Sequence, residues 1–324
     1  MILGVTMGDS SGVGPEILLK AWSQGEIAQR FVCFGDLAAL EYCNEVLGYG
    51  VNLRSVRNSR EAQPDCLNVI DHALLKREDI SIGKISGPSG KAAREYVISA
   101  TKAALAREID AMVTLPMNKE ATQLSDSSFV GHTELIGSIC GSKDVTIVLA
   151  SEQLIVTHVS THVSLARAIE MVRRERISRI IELTVDAVQR LRPNPKIAVA
   201  GLNPHAGEHG LFGDEEIREI QPAVEWAQSQ GMPVSGPYAP DTLFFQAVRQ
   251  KRFDAVVCMY HDQGHTVLKL LDFEGGVNVA LGLPIVRTSV DHGTAFDIAW
   301  KGVASSINFV NALNFAERLA QAKV

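Results

Sequence analysis

The sequence predicts an α/β fold of mainly parallel strands covered on both faces by helices and arranged in two lobes. Three observations predict it. Short apolar runs alternate with patterns of helical period nearly throughout the chain. Several of those runs stop abruptly in polar or ionisable residues, as strands do where open α/β sheets build their sites. At 324 residues the chain is long enough that two lobes are expected, sharing it through crossovers because no long linker is present.

The strand-like runs fall at 2–7, 31–34, 111–115, 145–150, 154–157, 197–200, 254–259 and 285–288. The first leads into Gly8-Asp9-Ser10-Ser11-Gly12-Val13-Gly14-Pro15-Glu16, a tight strand-to-helix turn with Pro15 suited to a first helical turn. Its glycines miss the GxGxxG spacing that a pyrophosphate turn requires, so a standard dinucleotide fingerprint is not expected. Residues 91–108, rich in Ala and Lys, read as a helix. Thr114-Leu115-Pro116-Met117-Asn118-Lys119 ends the next strand and sets Lys119 at a strand-to-helix junction. Gly131-His132-Thr133-Glu134 then precedes the apolar helical positions Leu135, Ile136 and Ile139. Thr133 is a candidate cap there, and the helix start a candidate anion site.

Segment 157–162 is rich in Val and Thr and reads as strand, with His158 and His162 on one sheet face. It is expected to form an arm or an edge that needs cover. Ile177, Ile180, Ile181, Thr184, Val185, Val188 and Leu191 recur at helical spacing, and Pro193 ends that helix. Arg173-Arg174-Glu175-Arg176 reads as its solvated start. A last helix is expected near Ala295, after the polar turn Ser289-Val290-Asp291-His292-Gly293-Thr294.

Composition narrows the function classes. Hydrophobic residues make up 46% and charged residues 21%, a soluble globular profile. A net charge of −6 without a basic block argues against nucleic acid. No apolar stretch approaches the roughly 20 residues of a membrane span, and the start shows no signal-peptide pattern. Five scattered cysteines without CxxC spacing fit reduced thiols, so a cytoplasmic location is expected.

Three histidines occupy similar settings. His162, His205 and His261 each follow an apolar run, far apart in sequence, and together would supply a three-ligand divalent metal site. A single strand-end His is commonly only hydrogen-bonded in a loop; three in the same setting are harder to dismiss. His72, His158, His209 and His265 are weaker candidates. Lys269, Asn278 and Arg287 suit a phosphate or carboxylate. The backbone amides of 289–294 could approach a nucleotide.

Taken together, the motifs resemble the 4-hydroxythreonine-4-phosphate dehydrogenase (PdxA-like) family. They run in order from Gly8-Asp9 and Gly131-His132-Thr133-Glu134 through Thr161-His162 and Gly201-Leu202-Asn203-Pro204-His205-Ala206-Gly207-Glu208. Pro240-Asp241-Thr242, Tyr260-His261-Asp262-Gln263-Gly264 and Arg287-Thr288-Ser289-Val290-Asp291-His292-Gly293-Thr294 follow. The resemblance implies a two-lobed fold like those of isocitrate and isopropylmalate dehydrogenases, with the active site in the inter-lobe cleft and a homodimer. Lobe boundaries are expected at 1–130 plus 283–324, and at 131–282 with the dimer contacts.

The implied reaction is NAD- or NADP-dependent oxidation, with decarboxylation, of a 4-phosphorylated 3-hydroxy acid. The first expectation is 4-(phosphooxy)-L-threonine in pyridoxine biosynthesis. His265, with the segment 295–299, resembles a paralogous branch acting on 4-phospho-D-threonate or 4-phospho-D-erythronate. By position, the resemblance implies His162, His205 and His261 as ligands of one divalent ion (zinc, magnesium, manganese or cobalt). It implies His132, Thr133, Lys269, Asn278 and Arg287 as substrate contacts. Asp241, Asp262 and Lys269 are the candidate proton-handling groups, and Ser289, Asp291, His292, Gly293 and Thr294 the candidate nucleotide contacts. A three-histidine metal hydrolase needing no nicotinamide, and a catalytically silent binding protein, are the alternatives from other classes.

Overall fold

The computed structural model describes residues 1–142 and 144–322. In chain order the first elements are β1 (Leu3–Thr6), α1 (Gly14–Ser23), β2 (Phe31–Gly35), α2 (Leu37–Leu47), β3 (Leu53–Val56) and β4 (Leu67–Asp71). After them come α3 (Gly87–Leu105), β5 (Ala111–Thr114), α4 (Lys119–Gln123), α5 (His132–Cys140), β6 (Thr146–Ala150) and β7 (Ile155–His158). Next are α6 (Leu165–Glu170), α7 (Arg174–Leu191), β8 (Ile197–Ala200), α8 (Gln221–Ser229), β9 (Val234–Tyr238) and α9 (Pro240–Val248). The chain closes with β10 (Ala255–Cys258), α10 (His261–Leu271), β11 (Val277–Leu281), β12 (Arg287–Val290) and α11 (Ile307–Gln321).

Two compact units form. One comprises Met1–Val145 with Leu283–Gln321, the other Thr146–Gly282. The first division thus falls after Val145 rather than after residue 130, because α5 packs on α3 and stays with the first unit.

The first unit carries a parallel sheet in the order β3-β4-β2-β1-β5-β12. Every residue of β1 and β5 is buried, which is why both read as continuous apolar runs rather than alternating ones. Pro15 sits in the first turn of α1, which buries Ile17, Leu18 and Leu19. Helix α3 begins at Gly87, earlier than its Ala and Lys content indicates, because Ser86 caps it by accepting the Ser89 N–H and Pro88 suits the opening turn. The glycines after β1 answer to backbone packing. Gly8 holds φ +74°, and a Cβ on Gly12 would lie 2.9 Å from both Cβ and the carbonyl oxygen of Thr294. No pyrophosphate turn is needed to account for them.

In the second unit the order is β11-β6-β7-β10-β8-β9. Strands β7, β10, β8 and β9 run parallel, whereas β6 is antiparallel to both β7 and β11. One core cluster joins Leu149, Val156, Ala198, Val256, Leu243 and Leu268, so α9 and α10 are pinned to the sheet by their apolar faces. Helix α7 buries Ile177, Ile180, Ile181, Thr184, Val185 and Val188, the stripe the sequence marks.

Two expectations are corrected. Segment 157–162 is neither arm nor edge: β7 ends at His158 and lies between β6 and β10. The chain turns away because Ser160 Oγ donates to the Met259 carbonyl and Ser164 caps α6, so His162 shares no sheet face with His158. Nor does a helix begin near Ala295. Residues 296–300 form turns, with Ala295 and Trp300 at φ +42° and +58°, and α11 starts at Ile307.

Candidate functional site

In the first unit, parallel pairing of β12 with β5 sets Arg287 opposite Met112, and its side chain reaches along the strand to Thr114. The Arg287 guanidinium is buried, and its Nη2 donates to Thr114 Oγ1 at 2.6 Å, while Nε has no partner. Burial pulls its pKa down to about 10, against the opposing pull of Glu134, so it stays charged at neutral pH. A buried guanidinium so incompletely bonded is costly unless an anion arrives.

His132 opens α5. The helix is capped by Gly131 without a side-chain bond, so Thr133 sits inside the first turn and is not the cap. The His132 Nε2 is buried with no partner. Burial, and then the charges of Arg287 and Lys119, push its pKa down to about 3. Lys119 begins α4, whose cap is Asn118, and a Cβ on Gly131 would approach Glu134 Oε2 at 2.8 Å and Lys119 Cε at 3.8 Å. Glycine there leaves room for both.

Asp9 stood in a marked motif without a role. It is fully buried; one carboxylate oxygen accepts the Ser11 N–H at 2.9 Å and the other has no partner. Burial raises its pKa to about 6 against backbone bonds from Ser11 and Asn118. At the nucleotide candidates, Ser289 is buried in β12, and the Asp291 N–H donates to Asn308. Thr294 accepts the Val13 N–H, His292 is turned onto the Gly293 carbonyl, and a Cβ on Gly293 would meet nothing within 4 Å. Space therefore lies open beside the Gly293 backbone.

In the second unit α10 carries His261, His265 and Lys269 at successive i, i+4 positions, on one stripe. The His261 and His265 rings stack at 3.8 Å between centroids, and His162 lies 5.6 Å from His261. His265 Nδ1 is 3.1 Å from Nε2 of His158, which is wholly buried and held neutral by burial and the neighbouring imidazoles. Gly264 makes this possible: a Cβ there would lie 2.7 Å from His158 Nε2. Asp262 holds His261 Nδ1 at 2.7 Å, fixing the ring and leaving Nε2 for a ligand. A cavity of about 520 Å³ is lined by Thr161, His162, Leu165, Tyr260, His261 and Asp262 among others.

His205 lies in a run of left-handed residues: His205, Ala206, Gly207, Glu208 and His209 have φ between 41° and 78°. Its ring faces Phe212 at 6.0 Å. Glu216, buried, holds this loop by accepting the backbone N–H groups of Leu202 and Asn203 at 2.7 Å and the Asn203 amide at 2.9 Å. Gln263 ties the end of β10 to the end of β8, accepting the Met259 N–H and donating to the Gly201 carbonyl. Sequence gave no sign of Glu216; Gln263 stood in a marked motif without a role.

The imidazoles have the donor chemistry for a divalent ion, but among the described residues no group of three or more His, Cys, Asp or Glu side chains is arranged to hold one. Of the remaining candidates, Asp241 is exposed in the first turn of α9, Lys269 lies over the Phe273 ring at 5.2 Å, and Asn278 pairs with Leu149 across β11 and β6. Among the described residues no helix is long and apolar enough to cross a membrane.

Comparison with known proteins finds relatives over the length of the chain. D-threonate 4-phosphate dehydrogenase of Salmonella typhimurium is 43% identical, with 98% of each chain covered. The crystal structure of 4-hydroxythreonine-4-phosphate dehydrogenase from Klebsiella pneumoniae superposes with a TM-score of 0.87 at 40% identity, covering 99% of each chain. Isocitrate dehydrogenase from Methylococcus capsulatus, at 15% identity and a TM-score of 0.50 over 99% of this chain and 87% of its own, is alike in fold alone. The pattern described as pyridoxal phosphate biosynthetic protein PdxA matches residues 26–316, and the chain belongs to that family.

Proposed function

We propose that the chain oxidises a 4-phosphorylated hydroxy acid with NAD or NADP, and that D-threonate 4-phosphate rather than 4-(phosphooxy)-L-threonine is the preferred substrate. The observation that carries this reading is the pairing of buried Arg287, its Nε without a partner, with the partnerless Nε2 of His132. These two groups, with Lys119, would bind an oxyanion and one further polar group of a small molecule. Dehydrogenation is the activity named for both the Salmonella and the Klebsiella relatives, and the name of the former favours the hydroxy acid.

His162, His205 and His261 would hold a divalent ion, which supplies polarisation of the substrate hydroxyl. Since no group of three such side chains is arranged to hold an ion among the described residues, the ion would draw on two copies of a homodimer. Asp262 orients His261 through its 2.7 Å bond and is thereby less suited to take a proton from substrate. Lys269 or Asp241 would take it. The turn at 289–294 would receive the nicotinamide nucleotide, approached at Gly293.

The test is a panel of D-threonate 4-phosphate, D-erythronate 4-phosphate and 4-(phosphooxy)-L-threonine with NAD and with NADP, followed by nicotinamide absorbance. Reduction of nucleotide with the first compound, lost on stripping metal and restored by zinc or manganese, supports the reading. Metal-dependent hydrolysis of the phosphate without nucleotide reduction would replace it by the hydrolase alternative.

A further inference from the structure

Away from the candidate site, a cavity of about 250 Å³ opens in the first unit where β1, β2 and β5 begin, lined by Arg30, Ser59, Arg60, Arg107, Glu108 and Asp110 among others. It lies at the opposite end of β1 and β5 from Asp9 and Thr114. Hydrogen bonds tie its rim. The Leu3 N–H donates to the Arg30 carbonyl at 2.9 Å, Asp110 accepts the Ile2 N–H at 2.7 Å, and Ser59 Oγ donates to the Glu108 carbonyl at 2.6 Å. The three arginines are exposed, and among the described residues none of their guanidinium groups has a hydrogen-bond, ion-pair or aromatic partner. By contrast, Arg77 pairs with Glu45, and Arg94 with Glu95 and Asp126. Arg107 follows the end of α3 at φ +58°, a left-handed position that favours glycine. A long cationic side chain is kept there despite the backbone strain.

We propose that this cavity is a second anion site, which takes a tetrahedral dianion, either inorganic phosphate or the phosphoryl group of a small phosphate ester, between Arg30, Arg60 and Arg107. Each guanidinium presents a planar fork of N–H donors that matches two phosphate oxygens. Three unpaired cations around one small cavity repel each other, and an anion between them turns that repulsion into attraction. Of the two carboxylates on the rim, Asp110 is occupied by the Ile2 N–H, and among the described residues neither forms an ion pair with the arginines. The volume falls below the roughly 300–1,000 Å³ of pockets that enclose drug-sized ligands, so it suits an ion or a phosphoryl group rather than a whole nucleotide. A bound ion would bridge the segments that lead into β2, β4 and β5.

The experiment uses the full chain in phosphate-free buffer, with inorganic phosphate and glycerol 3-phosphate as probes and chloride as the control. Wild type is compared with the triple variant Arg30→Gln, Arg60→Gln, Arg107→Gln, and with Arg60→Gln and Arg107→Lys alone. Calorimetry reads affinity. Because phosphate would also enter the proposed site at Arg287, hydrogen exchange supplies the location. In wild type, phosphate should slow exchange of the amides at 57–62 and 106–110, and in the triple variant it should not. Each single variant should weaken this binding about 10-fold, the loss expected for one charge-assisted pair. Turnover should be unchanged in all of them, since none of the three arginines stands near Thr114 or Asp9 along the strands.

Tighter binding of inorganic phosphate than of glycerol 3-phosphate assigns the site to the free ion, and the reverse order assigns it to an ester. Absence of slowed exchange with both probes would overturn the proposal. So would equal slowing in the triple variant, or equal slowing by chloride at the same concentration. Should the triple variant not fold, Arg60→Gln decides alone, because its exposed side chain supports no contact in the fold, and an unchanged affinity there would overturn the proposal as well.

Discussion

Burial of Asp9 makes stability depend on pH in an unusual direction for a carboxylate. Its folded pKa is about 6 against an ordinary 3.8, so the folded state holds the proton more tightly than the unfolded chain does. That contribution is full below the unfolded pKa and is lost as pH rises through about 6, a swing of about 3 kcal/mol. Asp9→Asn should therefore be more stable than wild type at pH 8, by about 1–3 kcal/mol, and should lose the decline between pH 4 and 7. Urea unfolding at the two ends of that range measures it; equal slopes in variant and wild type would contradict it. Arg287→Lys tests a different property, planarity. Lysine cannot reproduce a fork that donates to Thr114 and a substrate oxyanion together, so KM for a phosphorylated substrate should rise about 10- to 100-fold with kcat changed less. At this scale the residues that the sequence marks as candidates are those whose chemistry stands next to an apolar run: His261, His205 and Arg287. Glu216 and Asp9 were not legible, because their roles arise from backbone groups folded around them, which no spacing encodes.

The left-handed loop at 205–209 shows how one side chain can sustain an unfavourable local conformation. Each non-glycine residue there costs about 1–2 kcal/mol relative to right-handed backbone. The carboxylate of Glu216 offsets part of that cost through its bonds to Leu202 and Asn203. Glu216→Gln replaces one acceptor oxygen by a donor facing other donors, and should destabilise the protein by about 1–3 kcal/mol. It should also weaken zinc binding if His205 is a ligand, which a competition titration reads. Leu268→Ala probes the neighbouring element. Leu268 is wholly buried in the cluster that seats α10, so its loss should cost about 2–5 kcal/mol and loosen the helix bearing His261 and His265. Buried parallel strands such as β1, β5 and β10 were legible because both their faces are apolar. The strands β3, β4, β9 and β11 were not: β3 is half-exposed, Asn68 and Asp71 interrupt β4, β9 contains Gly236 and Pro237, and β11 alternates against β6 in antiparallel register.

For the molecule as a whole, the proposed homodimer makes a prediction about mixtures. If each ion draws ligands from two copies, His162→Ala and Arg287→Ala chains, inactive separately, should regain part of the activity when unfolded and refolded together, since one site in each hybrid escapes both lesions. Full activity from a verified monomer would end that idea. The two-unit division was legible in outline from the alternating pattern and the length, but the Val145 boundary was not, because the packing of α5 on α3 leaves no mark in composition. The first unit is assembled from both ends of the chain, and this has a consequence during synthesis. The N-terminal segment leaves the ribosome with β5 still lacking both β12 and α11, so its buried edge is open and the face that α11 covers is bare. The later-made 146–282 segment is already contiguous, so it can reach its native contacts before the earlier-made one does. A nascent chain stalled with residue 282 just outside the exit should thus resist protease in its second half while its first half is still cut and still bound by chaperones. Moving the sequence of β12 and α11 to the front by circular permutation should reverse that order.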